Sequence, residues 1–269
     1  MEFAPPPSLL YEPAGRKVRI TLNRPEVLNA INAELSDAIS DAIRAFDHDD
    51  ELLVAIITGA GGRAFSTGAD LKEMSAAAAA QPEATRKTFP VPRLGQRGAD
   101  DVRTCRKPII AAIDGYCVAA GLELSLYCDI RVATRESSFG LPEPRRSLLA
   151  GPGLHTLSRV IPLGEALRMQ LTGRPMAATR AYQIGLVQEL AEDREELFRV
   201  ADAIADEILE CAPLAVQTIK HLVMTGRNLP IEYAWLLAEP YQEKVARSED
   251  ALEGPRAFAE KRPPVWRMR

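Results

Sequence analysis

The chain has 269 residues, of which 46% are apolar and 6% aromatic. That composition supports one large domain with an aliphatic core, or such a domain with a helical appendage, and excludes wholesale disorder. With 33 basic against 37 acidic residues the net charge is −4. That balance argues against a nucleic-acid binder relying on a global positive field, while leaving room for a local basic patch that takes a phosphorylated small molecule.

Residues 1–15 are proline-rich and read as a loose arm. They lack the basic start and long apolar run of a secretory signal, and their acid and proline content disfavours a mitochondrial presequence. No apolar stretch approaches membrane-spanning length. The expectation is a soluble, cytoplasmic protein. KVRITL (17–22) alternates and reads as a strand. Residues 32–46 place Leu35, Ile39, Ala42, Ile43 and Phe46 on one helical face. LLVAIIT (52–58) is a continuous apolar run, which predicts a strand covered on both faces. Residues 61–72 form a glycine-punctuated loop leading into a helix. Residues 75–100 carry the weakest pattern: an alanine run, then several prolines, predicting a helix end and a mobile segment. A segment of that length is either a lid or binding loop or a surface insertion.

PIIAAI (108–113) reads as a buried strand closed by Asp114-Gly115, and DIRVA (129–133) as another. From about 151 the pattern is mostly helical. Residues 193–211 present Leu197, Val200, Ala201, Ile204 and Ile208 on one face, and 213–226 and 230–260 continue in the same style. The order predicts an α/β core with a C-terminal helical subdomain. Cys105, Cys117, Cys128 and Cys211 form no CxxC pair and have no metal-ligand spacing, so buried free thiols are expected.

Between the last two strands lies GYCVAAGLELSLYCDI (115–130). Three small residues, Ala119, Ala120 and Gly121, follow a tight Asp-Gly turn and precede a helix. Small side chains at a helix start admit a ligand to backbone N–H groups that have no intrahelical partner. Such a start favours an anion or a developing oxyanion. Thr67-Gly68-Ala69-Asp70 offers a second such start, so the Ala69 and Ala120 amides can converge on one oxygen. Tight packing alone also accounts for Ala-Ala-Gly. Glu123 sits one turn into the helix among Leu122, Leu124 and Leu126, and Glu143 follows the next strand. Two carboxyls sharing an apolar pocket ionise in separated steps, and one can accept a proton while the other donates one. Taken singly, Glu143 reads as an ordinary solvated acid; the leucines around Glu123 set it apart, although a surface position on an amphipathic helix is also open to it.

Five segments together resemble the crotonase family, the enoyl-CoA hydratase/isomerase superfamily. They are ITLNRPEVLNAIN, AFSTGADLKEM, KPIIAAIDGYCVAAGLELSLYCDIRVA, FGLPEPRRSLLAG and EGPRAFAEKRPPVW, in the family's order and spacing over nearly the whole chain. The resemblance implies an α/β spiral of ββα units with a C-terminal α-helical trimerisation subdomain. It divides the chain into an arm (1–15), a spiral core with an acyl-CoA site (16–195) and a helical oligomerisation region (196–269), assembled as homotrimers or homohexamers. It implies an acyl-CoA thioester substrate, CoA as the substrate's handle, and no metal, redox cofactor, nucleic acid or membrane partner. The Ala69 and Ala120 N–H groups match the oxyanion hole. Glu123 and Glu143 match the hydratases' two acids, and Gly151 matches a glycine that helps hold the attacking water. Arg24, Lys72 and Lys261 match by position as contacts to CoA.

Two departures stand out. Many members have three glycines where this chain has Ala119-Ala120-Gly121, and positive φ at either alanine would be strained. The family's GxGG stretch is here Gly151-Pro152-Gly153-Leu154, in which Pro152 suits a first helical turn. Pro144-Arg145-Arg146 places two cations beside Glu143, and either one turned inward would lower that acid's proton affinity. Both acids together predict a 2-enoyl-CoA hydratase. An enoyl-CoA isomerase using one acid, and an acyl-CoA-binding protein with little catalysis, are the alternatives. A serine hydrolase is disfavoured, since His48, His155 and His221 accompany no GxSxG motif.

Overall fold

The computed structural model describes residues 3–80 and 96–268. One sheet contains β1 (Leu9–Ala14), β2 (Lys17–Leu22), β3 (Val54–Gly59), β5 (Ile109–Ile113), β7 (Ile130–Thr134) and β10 (Glu189–Ala191), hydrogen-bonded in that order. β1 and β2 pair antiparallel, and the remaining pairs are parallel. The alternation within β3 shows why its apolar run is continuous. Ala55 and Ile57 face the core that holds Leu35, Ile39 and Phe46 of α1 (Ala33–His48). Val54 and Ile56 face the opposite layer with Leu197, Ala201 and Ala205 of α8 (Arg194–Leu209). The sheet is thus covered on both faces, as a parallel sheet requires.

A second, smaller sheet has the order β4-β6-β8-β9, from β4 (Ala64–Ser66), β6 (Tyr116–Val118), β8 (Ser138–Gly140) and β9 (Met176–Ala177). The chain visits the large sheet, then the small sheet, then a helix, three times: β3-β4-α2 (Leu71–Ala79), β5-β6-α4 (Ala120–Tyr127) and β7-β8-α5 (Gly153–Val160). α3 (Gln96–Thr104) packs on α1 and α4. The remaining helices are α6 (Leu163–Thr172), α7 (Ala178–Gln183), α9 (Pro213–Gly226), α10 (Ile231–Ala246) and α11 (Glu249–Glu260). The expected spiral of ββα units with C-terminal helices is therefore present.

Several expectations are corrected. The arm expected to be loose over 1–15 contains β1, whose Leu9 is buried in the core and whose Tyr11 packs edge-on against Phe3. Pro5, Pro6 and Pro7 precede β1, and Pro13 lies within it opposite Val18; β1 is the edge strand of its sheet, where a proline is tolerated, so the prolines did not prevent a strand. The expected boundary at 195/196 falls inside α8, which covers the large sheet and belongs to the core. The helices that stand clear begin with α9, in which Pro213 is the buried residue, and α10, where none is buried. α9 is tied to the core by Lys220, whose Nζ donates to the Asp129 carboxylate at 2.7 Å and the Lys107 carbonyl at 2.8 Å. The chain then returns: the Trp266 indole donates to the Glu210 carbonyl, and Met268 packs on the α8 layer. The helical run over 230–260 divides at Ser248, whose hydroxyl caps α11. Cys105, Cys117 and Cys128 are buried free thiols, whereas Cys211, just past the end of α8, is exposed. Most of the segment expected to be mobile, residues 81–95, lies outside the described residues.

Candidate active site

The small sheet assembles the site. Its three parallel strands end side by side, and each delivers one component at its C-terminal end, the edge at which open α/β sheets present their ligand sites. β4 leads into Thr67-Gly68-Ala69-Asp70. β6 leads into Ala119-Ala120-Gly121 and then Glu123. β8 leads through Leu141-Pro142 into a 3-10 turn that starts at Glu143. The first two components touch: a Cβ placed on Gly68, where φ is +90°, would lie 2.5 Å from the Ala119 Cβ and 3.0 Å from the Ala120 nitrogen. Gly121 brings α4 against β4, for a Cβ there would lie 2.5 Å from the Ser66 carbonyl oxygen. Of the three small residues, Ala120 opens the helix and Gly121 allows the close approach.

Backbone pairing fixes where these amides point. The Ile31 N–H donates to the Gly68 carbonyl at 2.7 Å, and the Asp70 N–H donates to the Ile31 carbonyl at 3.0 Å. This one-residue parallel bridge engages both neighbours of Ala69 and leaves the Ala69 N–H free among the described residues. The Ala120 N–H, at the first position of α4, is likewise free of a backbone partner among them. Ala119, the residue before the helix, has φ +52° and ψ −132°. The anticipated strain is real at Ala119 and absent at the helical Ala120.

Glu123 is 8% exposed. Its Oε1 accepts the Gly153 N–H at 2.9 Å. Burial raises its proton affinity, and hydrogen bonds from the Gly153 and Gly151 amides pull it back. A Cβ on Gly153 would lie 3.0 Å from that same oxygen and press on this contact. Glu143 is held differently. Its Oε2 is buried and has no hydrogen-bond partner among the described residues. Burial pushes its carboxyl up to about 7, and the Glu123 charge adds to the rise. Its own backbone N–H and, less strongly, Arg146 act in the opposite direction without reversing it. Arg145 turns away, donating to the Thr172 carbonyl at 3.0 Å. The two acids thus interact, and both are raised: the Gly153 and Gly151 amides oppose the rise at Glu123, while Glu143 is pushed up to about 7 and holds a proton near neutral pH.

The other expected residues are placed as follows. Pro152 immediately precedes α5, and Gly151, exposed, turns its amide toward Glu123. Lys72 is exposed in the first turn of α2, close to Ala69 in sequence. Lys261 is exposed at the end of α11. Arg24 is engaged internally, with its guanidinium on the Asp70 carboxylate at 3.1 Å and the Ala30 carbonyl at 2.6 Å. Sequence reasoning did not single out Gly153 or Asp70. The signal for Gly153 was the second glycine of Gly-Pro-Gly, and for Asp70 its place as an acid opening a helix. Among the described residues no group of three or more His, Cys, Asp or Glu is arranged for a metal, and no helix is long and apolar enough to cross a membrane.

Comparison with known proteins gives consistent matches. A family model for enoyl-CoA hydratase/isomerase matches residues 16–269. A carnitinyl-CoA dehydratase of Salmonella typhi is 38% identical over 260 residues, spanning 95% of this chain and 96% of that protein. An enoyl-CoA hydratase structure from Mycobacterium tuberculosis H37Rv is 38% identical with a TM-score of 0.88, covering 98% of this chain and 100% of that one. One from Bacillus anthracis is 30% identical with a TM-score of 0.89, covering 97% and 100%.

Proposed function

The chain belongs to the enoyl-CoA hydratase/isomerase family, and from that premise we propose that it is a hydratase, adding water across the 2,3 double bond of a 2-enoyl-CoA thioester. The observation that carries this reading is the unequal pair of acids, Glu123 held by the Gly153 amide and Glu143 buried with an unpartnered oxygen. Water lies between the two carboxyls. Glu123 takes one of its protons as the water oxygen bonds to the β-carbon. The double-bond electrons move to the thioester oxygen, which becomes enolate-like between the Ala69 and Ala120 N–H groups. Glu143 then gives its proton to the α-carbon. One O–H bond is broken, one C–O and one C–H bond are formed, and proton exchange between the acids resets the site. The same groups in reverse remove water, the direction named for the Salmonella relative. Each fixed oxyanion donor contributes about 10²–10³ in rate, and each acid–base partner about 10²–10⁴. Gly151 steers Glu123 and the water. Lys72 contacts CoA from its own subunit, and Lys261 that of a neighbour in a trimer or hexamer built through α9 and α10.

The test is hydration of crotonyl-CoA and of a longer 2-enoyl-CoA, followed as loss of the conjugated enoyl-thioester absorbance. Glu123→Gln and Glu143→Gln are each expected to lower turnover at least about 10²-fold while CoA-ester binding stays nearly intact. Unchanged turnover in Glu143→Gln overturns the assignment. Tolerance of Glu123→Gln alone moves it to double-bond isomerisation, for which one acid suffices. Binding without turnover in the wild type points to an acyl-CoA-binding protein.

A further inference from the structure

Arg24 lies far from Asp70 in sequence, yet the two form a pair whose side chains are only 18% and 13% exposed. The guanidinium reaches the Asp70 carboxylate through both terminal nitrogens and the Ala30 carbonyl through one of them. Ala30 precedes Ile31 and Asp70 follows Ala69, so Arg24 crosslinks the two segments joined by the Ile31–Ala69 bridge. Asp70 does a second job: its Oδ1 accepts the Lys72 and Glu73 amides and so starts α2. Burial alone would raise the Asp70 carboxyl, but the Glu73 amide and Arg24 outweigh it and hold the group below the usual carboxylate range. The Arg24 backbone is itself fixed, its N–H donating to the buried Asn29 side chain.

We propose that Arg24 is a positioning residue for the oxyanion hole, clamping Asp70 and Ala30 so that the Ala69 N–H stays in register with the Ala120 N–H. This rests on the oxyanion-hole reading above and replaces the CoA contact expected for Arg24 from the sequence. The physical reason is the cost of an unpaired buried charge. Without Arg24, the Asp70 carboxylate moves toward water and takes Ala69 with it. The Ile31–Ala69 bridge has only two hydrogen bonds with which to resist. Arginine is required because its planar fork meets a carboxylate and a carbonyl at once, whereas a lysine ammonium has no such fork.

The experiment compares wild type, Arg24→Met, Arg24→Lys, Asp70→Asn and the Arg24→Met/Asp70→Asn pair in two assays. One is hydration kinetics. The other is the red shift of a bound conjugated dienoyl-CoA, which reports polarisation of its carbonyl by the hole without turnover. Arg24→Met is expected to lower kcat about 10- to 100-fold with KM changed less than about threefold, and to lose most of the red shift. Arg24→Lys recovers part of both, and the double variant is no worse than its worse parent. A raised KM with kcat and red shift unchanged gives Arg24 to CoA and overturns the proposal, as do additive losses in the double variant. If Arg24→Met does not fold, Arg24→Lys and Asp70→Asn read the same two quantities. A wild type that shows the shift but hydrates nothing fails only the hydration reading. A wild type that hydrates, with a shift that survives Arg24→Met, fails only this one.

Discussion

Ala119 and Ala120 are adjacent and chemically identical, yet replacement by glycine should have opposite effects. Ala119 holds φ +52°, where a Cβ is strained by about 1–3 kcal/mol. Ala120 begins α4, where glycine costs up to about 1 kcal/mol in backbone entropy. Ala119→Gly is expected to stabilise the protein by about 1 kcal/mol, and Ala120→Gly to leave it unchanged or weaker, both read from urea midpoints. A weaker Ala119→Gly would mean that the methyl contact with Gly68 outweighs the strain. Glu143 gives a second measurement at this scale. Its carboxyl lies at about 7 in the folded protein against an ordinary 4.5, so between these values the folded state binds more protons than the unfolded chain. Stability from this group is complete below about 4.5 and is lost as pH rises through about 7. Glu143→Gln should therefore gain stability relative to wild type across that window and hold a constant difference above it. A pH-independent difference would place the carboxyl in water.

Among the elements, the short strands of the small sheet matter most. β4, β6 and β8 have three residues each, too few for periodicity to identify, and sequence reading passed over them. What was legible was their consequence, the small residues and acids immediately after them. The spacing between α4 and β4 depends on Gly121. Gly121→Ala puts a Cβ 2.5 Å from the Ser66 carbonyl oxygen and 2.8 Å from the Ser66 Cβ, neither of which can swing aside. The helix must shift, at a cost of about 1–3 kcal/mol. A displacement near 1 Å at the Ala120 amide should lower kcat by roughly 10²-fold. Unchanged kinetics would show that the helix start tolerates the shift and that the hole is not defined by this contact. The Gly151-Pro152-Gly153 departure proves to be a working arrangement, with Pro152 leading into α5 and the Gly153 amide on Glu123.

At the scale of the whole molecule, α9 and α10 are the exception to good burial. Ile219, Val223, Ile231, Trp235 and Leu236 are all exposed in the single chain, a concentration of apolar surface of the kind that interaction sites present. The proposed assembly through these helices predicts a sedimentation mass three or six times that of the chain. It also predicts that Trp235→Glu with Leu236→Glu gives a smaller species. A monomeric wild type would contradict it. Lys220 on Asp129 then serves to orient α9 on the core without burying its apolar face.

The sequence by itself determined the α/β class and the main strands and helices, and it singled out Ala69, Ala120, Glu123 and Glu143, which the fold places just after the short strands of the small sheet. Apolar periodicity and small-residue punctuation are local signals, and the five family-like segments lie in one order along the chain. The exceptions were decided by contacts between distant segments. β1 is a strand because it has β2 to pair with. α8 belongs to the core because its apolar face meets β3, β5 and β7. Arg24 points inward because Asp70, which sequence spacing does not bring near it, lies within reach across the bridge. The relative acidity of Glu123 and Glu143 was likewise not readable from their letters. Burial raises both carboxyls, the Gly153 and Gly151 amides oppose the rise at Glu123, and the Glu123 charge adds to it at Glu143; only the folded arrangement of β8, α4 and α5 fixes those contacts.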